Sequence, residues 1–117
     1  MSLDKYKREA MERPPKTTVE GEAGAGKSFF ALSAPKAFVI NTDDGIDEIL
    51  LRRPDIMVAD AVPVGDIEGN AKIYDGIIKT LTELAREKHD RKSIIIDSLD
   101  RLEMLAQAKV CVEHSIK

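Results

Sequence analysis

One run of eight residues carries the most specific chemistry in the chain. Gly21-Glu22-Ala23-Gly24-Ala25-Gly26-Lys27-Ser28 satisfies G-x-x-x-x-G-K-[ST] at every fixed position. Glycine permits the turn conformations that aim successive backbone N–H groups inward, around an anionic phosphate. A helix opening at the lysine adds unpaired N–H donors and the positive end of its dipole. In that arrangement Lys27 reaches the β- and γ-phosphates of a nucleotide and the Ser28 hydroxyl ligates Mg²⁺. The expected ligands are therefore ATP and Mg²⁺, held by residues 21–28. The competing reading is a flexible glycine turn that happens to precede Lys-Ser.

A second group fits the same chemistry. Ser93-Ile94-Ile95-Ile96-Asp97 reads as a buried strand with an acid at its C-terminal end. Ligands of open α/β sheets bind at that end of the strands, so Asp97 is expected to support Mg²⁺ through its water shell. A helix N-cap or a turn would use the same residue type. Hydrolysis further requires a group that orients or deprotonates water. In one large P-loop class a Glu directly follows the metal-binding Asp, but here Ser98 occupies that position. The next candidate is the pair Asp43-Asp44, just past Phe38-Val39-Ile40, because the ends of parallel strands share one edge. The alternative for this pair is an Asx turn ahead of Gly45.

These groups need elements to position them. Residues 3–12 form a short charged helix in this reading, with Leu3, Tyr6 and Ala10 on one side and Pro14-Pro15 as its stop. Residues 17–20 make a weak strand with one strongly apolar residue, Val19. A helix over 27–33 ends at Pro35. Ala37-Phe38-Val39-Ile40 is an apolar run of the kind buried on both faces, followed by a polar turn over 41–45. An amphipathic stretch over 46–51 and a strand over 56–58 come next. Ile73, Ile77, Leu81 and Leu84 recur at helical spacing within a helix over 68–88. After the strand at 93–97, a last helix over 100–114 turns Leu102, Leu105 and Val110 inward. Strands alternating with helices predict a parallel sheet flanked by helices, the α/β class.

Composition sets the frame. The chain has 117 residues, near the size of one domain, with 43% hydrophobic and 33% charged residues. Residues 1–15 read as an N-terminal extension and 16–117 as one nucleotide-binding domain. A formal net charge of -3 gives no chain-wide electrostatic grip on nucleic acid or on an acidic membrane. The scarce aromatics, 4% with no Trp, offer no base-stacking platform. Cys111 is alone, so it forms no internal disulfide, and no Cys/His cluster has zinc spacing. No apolar run approaches the ~20 residues of a membrane span, and the start has no secretory core. A cytoplasmic protein is expected. Lys88, His89, Arg91 and Lys92 read as a solvated helix end, His114 as a surface residue, and Cys111 and the Phe29-Phe30 pair as packing residues.

Taken together, the sequence resembles the RecA-type branch of P-loop ATPases, and within it the small phage nucleotide-binding proteins of recombination and single-strand annealing. Residues 21–28, 38–45 and 94–100 carry the likeness, with His89-Asp90 and Val110-Cys111 in support, and it spans roughly residues 16–115. The resemblance implies a RecA-like fold and ATP hydrolysis coupled to work on single-stranded DNA, often in a homo-oligomer. It places the catalytic carboxylate at Asp43, beside Lys27. The family typically has Glu there, and the shorter Asp sits about 1.5 Å further from its water, so slower catalysis or a share for Asp44 is expected. RecA-like sheets also insert a later strand between the phosphate-loop strand and the metal strand. The chain is therefore expected to correspond to the N-terminal half of such a domain, with a sheet incomplete at the C-terminus.

Three other functions compete. Asp66-Ile67-Glu68-Gly69 fits the D-x-x-G of GTPases, but Pro63 and Gly65 spoil the strand before it and no N-K-x-D follows. A small-molecule phosphotransferase shares the phosphate loop but needs an Arg-rich lid that is not visible. A nucleotide-binding assembly module that does not hydrolyse ATP is favoured by Asp43 in place of Glu.

Overall fold

The computed structural model describes residues 2–6, 16–20, 26–43 and 46–114. At its centre lies Ala37–Asn41 (β1), in which Ala37, Val39 and Ile40 are fully buried. An apolar strand with no polar face requires cover on both sides and a neighbour at each edge. Met57–Asp60 (β2) and Ser93–Asp97 (β3) supply the neighbours, both parallel, giving the order β2-β1-β3. Among the described residues β3 is an edge strand, and Ile94 on it is half exposed.

Successive side chains of β1 alternate between two cores, as strand geometry dictates. Val39 joins Leu32 of Lys27–Leu32 (α1), Ile46, Ile49 of Asp47–Arg52 (α2) and Ile56, with Val58 and Ile95 from the flanking strands. Ile40 faces the other way, onto Ala61, Ile77 and Leu105, with Ile73, Leu81, Ile96 and Leu102 around them. Ile73, Ile77 and Leu81 belong to Ile67–Arg86 (α3), and Leu102 and Leu105 to Leu99–Glu113 (α4), two helices that also pack on each other. Lys109 of α4 bridges to Asp75 of α3 at 2.9 Å. The helices therefore cover both faces of a parallel sheet, as the alternating pattern predicts.

Helix ends follow local chemistry. Asp66 caps α3 by accepting the Gly69 N–H at 3.0 Å, so the D-x-x-G match is a helix start. At the other end His89 Nε2 lies 2.8 Å from the Leu84 carbonyl, while Nδ1 accepts the Arg91 N–H at 3.0 Å.

Three expectations change. Residues 16–20 are exposed and have no regular structure, so the strand expected over 17–20 is not in the sheet. Only Val19 is strongly apolar there, and a strand buried on both faces would have to take Thr17, Thr18 and Glu20 out of water. The N-terminal helix is described only as a short 3₁₀ turn at Ser2–Tyr6, and the rest of 3–12 lies outside the described residues. Arg91 is no part of a solvated helix end. Its side chain is 10% exposed, and its guanidinium donates to the Asp55 carbonyl at 2.7 Å and the Ala37 carbonyl at 3.5 Å.

Candidate functional site

The C-terminal ends of all three strands meet at one edge. In register, Asn41 stands between Asp60 on β2 and Asp97 on β3. Side by side in a parallel sheet, such residues lie about 5 Å apart. Two of the three carry carboxylates, which would repel each other if the middle residue were also acidic. Asn41 removes that conflict: its buried amide donates to Asp60 Oδ1 at 3.0 Å, and its oxygen accepts the Asp43 N–H at 3.4 Å.

Beyond β1 the chain is tied to β3. Thr42 is fully buried, and its N–H and hydroxyl both donate to the Asp97 carbonyl at 2.8 Å. The same hydroxyl accepts the Ser98 N–H at 2.8 Å. The Asp97–Ser98 peptide is cis. Ser98 then serves as the N-cap residue of α4, and Asp97 closes β3 just before it. Asp43 is exposed at the same edge, with Arg101 Nη2 of α4 at 3.9 Å from its Oδ1.

The helix that follows the phosphate-loop positions, α1, lies beside β3. Gly26 precedes the helix with φ 87°, the left-handed region where an L side chain costs about 1–2 kcal/mol. Its carbonyl accepts the Phe30 N–H at 3.0 Å and closes the first turn. Lys27 and Ser28 are the first two residues of α1. Gly21, Glu22, Ala23, Gly24, Ala25 and Asp44 lie outside the described residues.

The donor set suits Mg²⁺. Among the described residues no group of three or more His, Cys, Asp or Glu side chains could hold a metal unaided. Mg²⁺ ordinarily needs no such cage: it takes one or two protein oxygens and completes its shell with phosphate and water. A carboxylate at Asp97 and a hydroxyl at Ser28 are hard oxygen donors of that kind.

Several site residues went unread in the sequence. Asn41 had a signal, a polar residue ending an apolar run, and so did Arg101, a cation in the first turn of the helix after Asp97. Thr42 and Asp60 had none, because their roles depend on which strands are neighbours.

A parallel α/β sheet covered on both faces, with acidic residues at its strand ends and a glycine-led helix beside the edge strand, is the fold of P-loop NTPases. The AAA domain profile matches residues 13–117, and the chain belongs to that family of P-loop ATPases. No curated protein and no solved structure matches it. Among the described residues no helix is long and apolar enough to cross a membrane.

Proposed function

We propose that the chain binds ATP with Mg²⁺ and hydrolyses it, in the manner of RecA-type ATPases that work on DNA during recombination and annealing. The observation that carries this reading is that Asp97 and the Asp43 turn share one sheet edge, tied through Thr42, with the helix that opens at Gly26-Lys27-Ser28 lying beside β3. In this reading residues 21–28 wrap the phosphates, Lys27 neutralises the β- and γ-phosphates, and Ser28 and Asp97 support the metal. Mg²⁺, when bound, supplies charge neutralisation along the triphosphate. Asp43 orients the attacking water. Residues 16–117 form the nucleotide-binding domain and 1–15 an extension to it. Single-stranded DNA and a second copy of the chain are the partners implied by the likeness to phage recombination proteins.

One observation favours a second reading. Arg101 stands 3.9 Å from Asp43, where its guanidinium competes with a water for the carboxylate. A module that holds ATP without turnover would tolerate that arrangement. Titration with a fluorescent ATP analogue and steady-state phosphate release, with and without single-stranded DNA, separate the two. Lys27→Ala is expected to weaken binding by about 10- to 100-fold, from the loss of charge-assisted contacts to phosphate. Binding without release above the Lys27→Ala background selects the passive module. No binding at millimolar analogue overturns both.

A further inference from the structure

We propose that Thr42 is the positioning residue for the metal carboxylate: it fixes the main chain of Asp97 through a buried hydroxyl and so sets where that side chain can reach. The proposal deepens the nucleotide reading above and rests on its assignment of Asp97.

The argument starts from geometry. Thr42 follows the last residue of β1 and is fully buried, where a hydroxyl needs partners. It finds them on the neighbouring strand, far away in sequence. The hydroxyl hydrogen goes to the Asp97 carbonyl at 2.8 Å, and a hydroxyl lone pair takes the Ser98 N–H at 2.8 Å. The Thr42 N–H adds a second bond to the Asp97 carbonyl, also at 2.8 Å. One residue thus fastens both sides of the peptide that leaves Asp97. With that peptide fixed, the point from which the Asp97 side chain leaves the main chain is set.

The choice of residue type matters. A cationic side chain here would be drawn to the carboxylate itself and compete with a metal. A hydroxyl is neutral and bonds the main chain. Threonine is also stiff about χ1, so its oxygen is held in place by its own branching. Valine has the same shape but neither bond, and serine keeps the hydroxyl while losing the branch.

The test reads metal dependence rather than turnover. Full-length wild type, Thr42→Val and Thr42→Ser are titrated with Mg²⁺ at fixed fluorescent ATP analogue, and analogue affinity is measured separately in EDTA. Loss of a group that orients a metal ligand costs about 10- to 100-fold in metal affinity. Thr42→Val is therefore expected to raise the Mg²⁺ midpoint by about 10-fold or more, with EDTA affinity within about twofold of wild type. Thr42→Ser, which keeps the hydroxyl without the branch, is expected to bring the midpoint back to within about threefold of wild type. A Thr42→Val midpoint equal to wild type overturns the proposal, as does an equal loss of affinity with and without Mg²⁺, the mark of a merely structural role. If Thr42→Val does not melt cooperatively, Thr42→Ser decides: a folded serine variant whose midpoint is displaced by more than about threefold overturns it, and a midpoint within that range supports it. Wild type that ignores the analogue at every Mg²⁺ concentration removes the nucleotide reading itself. Mg²⁺-dependent wild type with an unshifted Thr42→Val removes only this inference.

Discussion

The two ends of the sheet are held together in opposite ways. At the N-terminal end the work is done by charge. Arg91 reaches across to the Asp55 and Ala37 carbonyls while pairing with Asp90 at 2.9 Å, and Lys36 lies 3.8 Å from the same Asp90. At the C-terminal end neutral groups, the Thr42 hydroxyl and the Asn41 amide, join β1 to its neighbours. Carboxylates are present at both ends, but they do different things. Asp90 and Asp55 are paired with arginines, whereas Thr42 binds the Asp97 main chain. An end built only for stability can use its charges to brace itself. Under the function proposed above, neutral donors at the C-terminal end hold the strands without adding a cation that would compete with the metal.

The largest effect should come from exchanging charge for shape at the ligand end. Asp97→Asn keeps the Asp97 carbonyl that accepts from Thr42, so the fold should tolerate it, with a loss of about 1 kcal/mol or less. The Mg²⁺ midpoint for binding a fluorescent ATP analogue should rise by about 10- to 100-fold, the range expected when one charge-assisted contact is lost. Urea melts and Mg²⁺ titrations of the same preparation check both halves. A variant that melts far below wild type, with its midpoint unmoved, would show that Asp97 braces the edge and would break the comparison.

The opposite outcome is expected at the other end. Arg91→Met keeps most of the aliphatic stem but leaves the Asp55 and Ala37 carbonyls without their guanidinium donor. The urea midpoint should fall with little change in slope, while the Mg²⁺ midpoint stays within about twofold of wild type, as expected for distant sites. If Arg91→Met shifts the Mg²⁺ midpoint as far as Asp97→Asn, the two ends are coupled through β1 and the division of labour is wrong.

Much of this was legible in the sequence, and the gaps have a common cause. The strand over 93–97 was read to the residue because three isoleucines in a row leave little else for it to be. α3 and α4 also lie within a residue or two of their expected bounds, since helical periodicity is a local signal. β1 runs one residue further than the apolar stretch, to Asn41, because Asp60 on the next strand accepts from its amide. Residues 17–20 were read as strand on β-branching alone, and lacking apolar content they lie outside the sheet. Thr42 and Arg91 were unreadable for a shared reason. Each works on a strand or loop remote in sequence, and nothing in a linear pattern says that β1 lies between β2 and β3.

The smallest expected effect is also the one that tests the contrast through charge alone. The Arg91 hydrogen bond holds the Asp90 carboxyl below its ordinary value of 3.8, and the Arg53 hydrogen bond does the same for Asp55. A carboxyl whose folded pKa is depressed stabilises the fold fully above its unfolded value. That stabilisation disappears as pH falls through the folded value. The N-terminal end should therefore loosen from about pH 4 downward, whereas the Thr42 bonds at the other end join a hydroxyl to the main chain and contain no titrating group. Both carboxylates are more than half exposed, at 61% and 55%, so the loss is modest and salt should shrink it further. Urea midpoints measured from about pH 5 to about pH 2 should fall less steeply for Arg91→Met than for wild type, because Asp90 no longer has its main partner. Equal acid slopes for the two proteins would mean that the Arg91–Asp90 pair, however close in space, contributes nothing to holding the strands, and that the N-terminal end relies on the two carbonyl contacts instead.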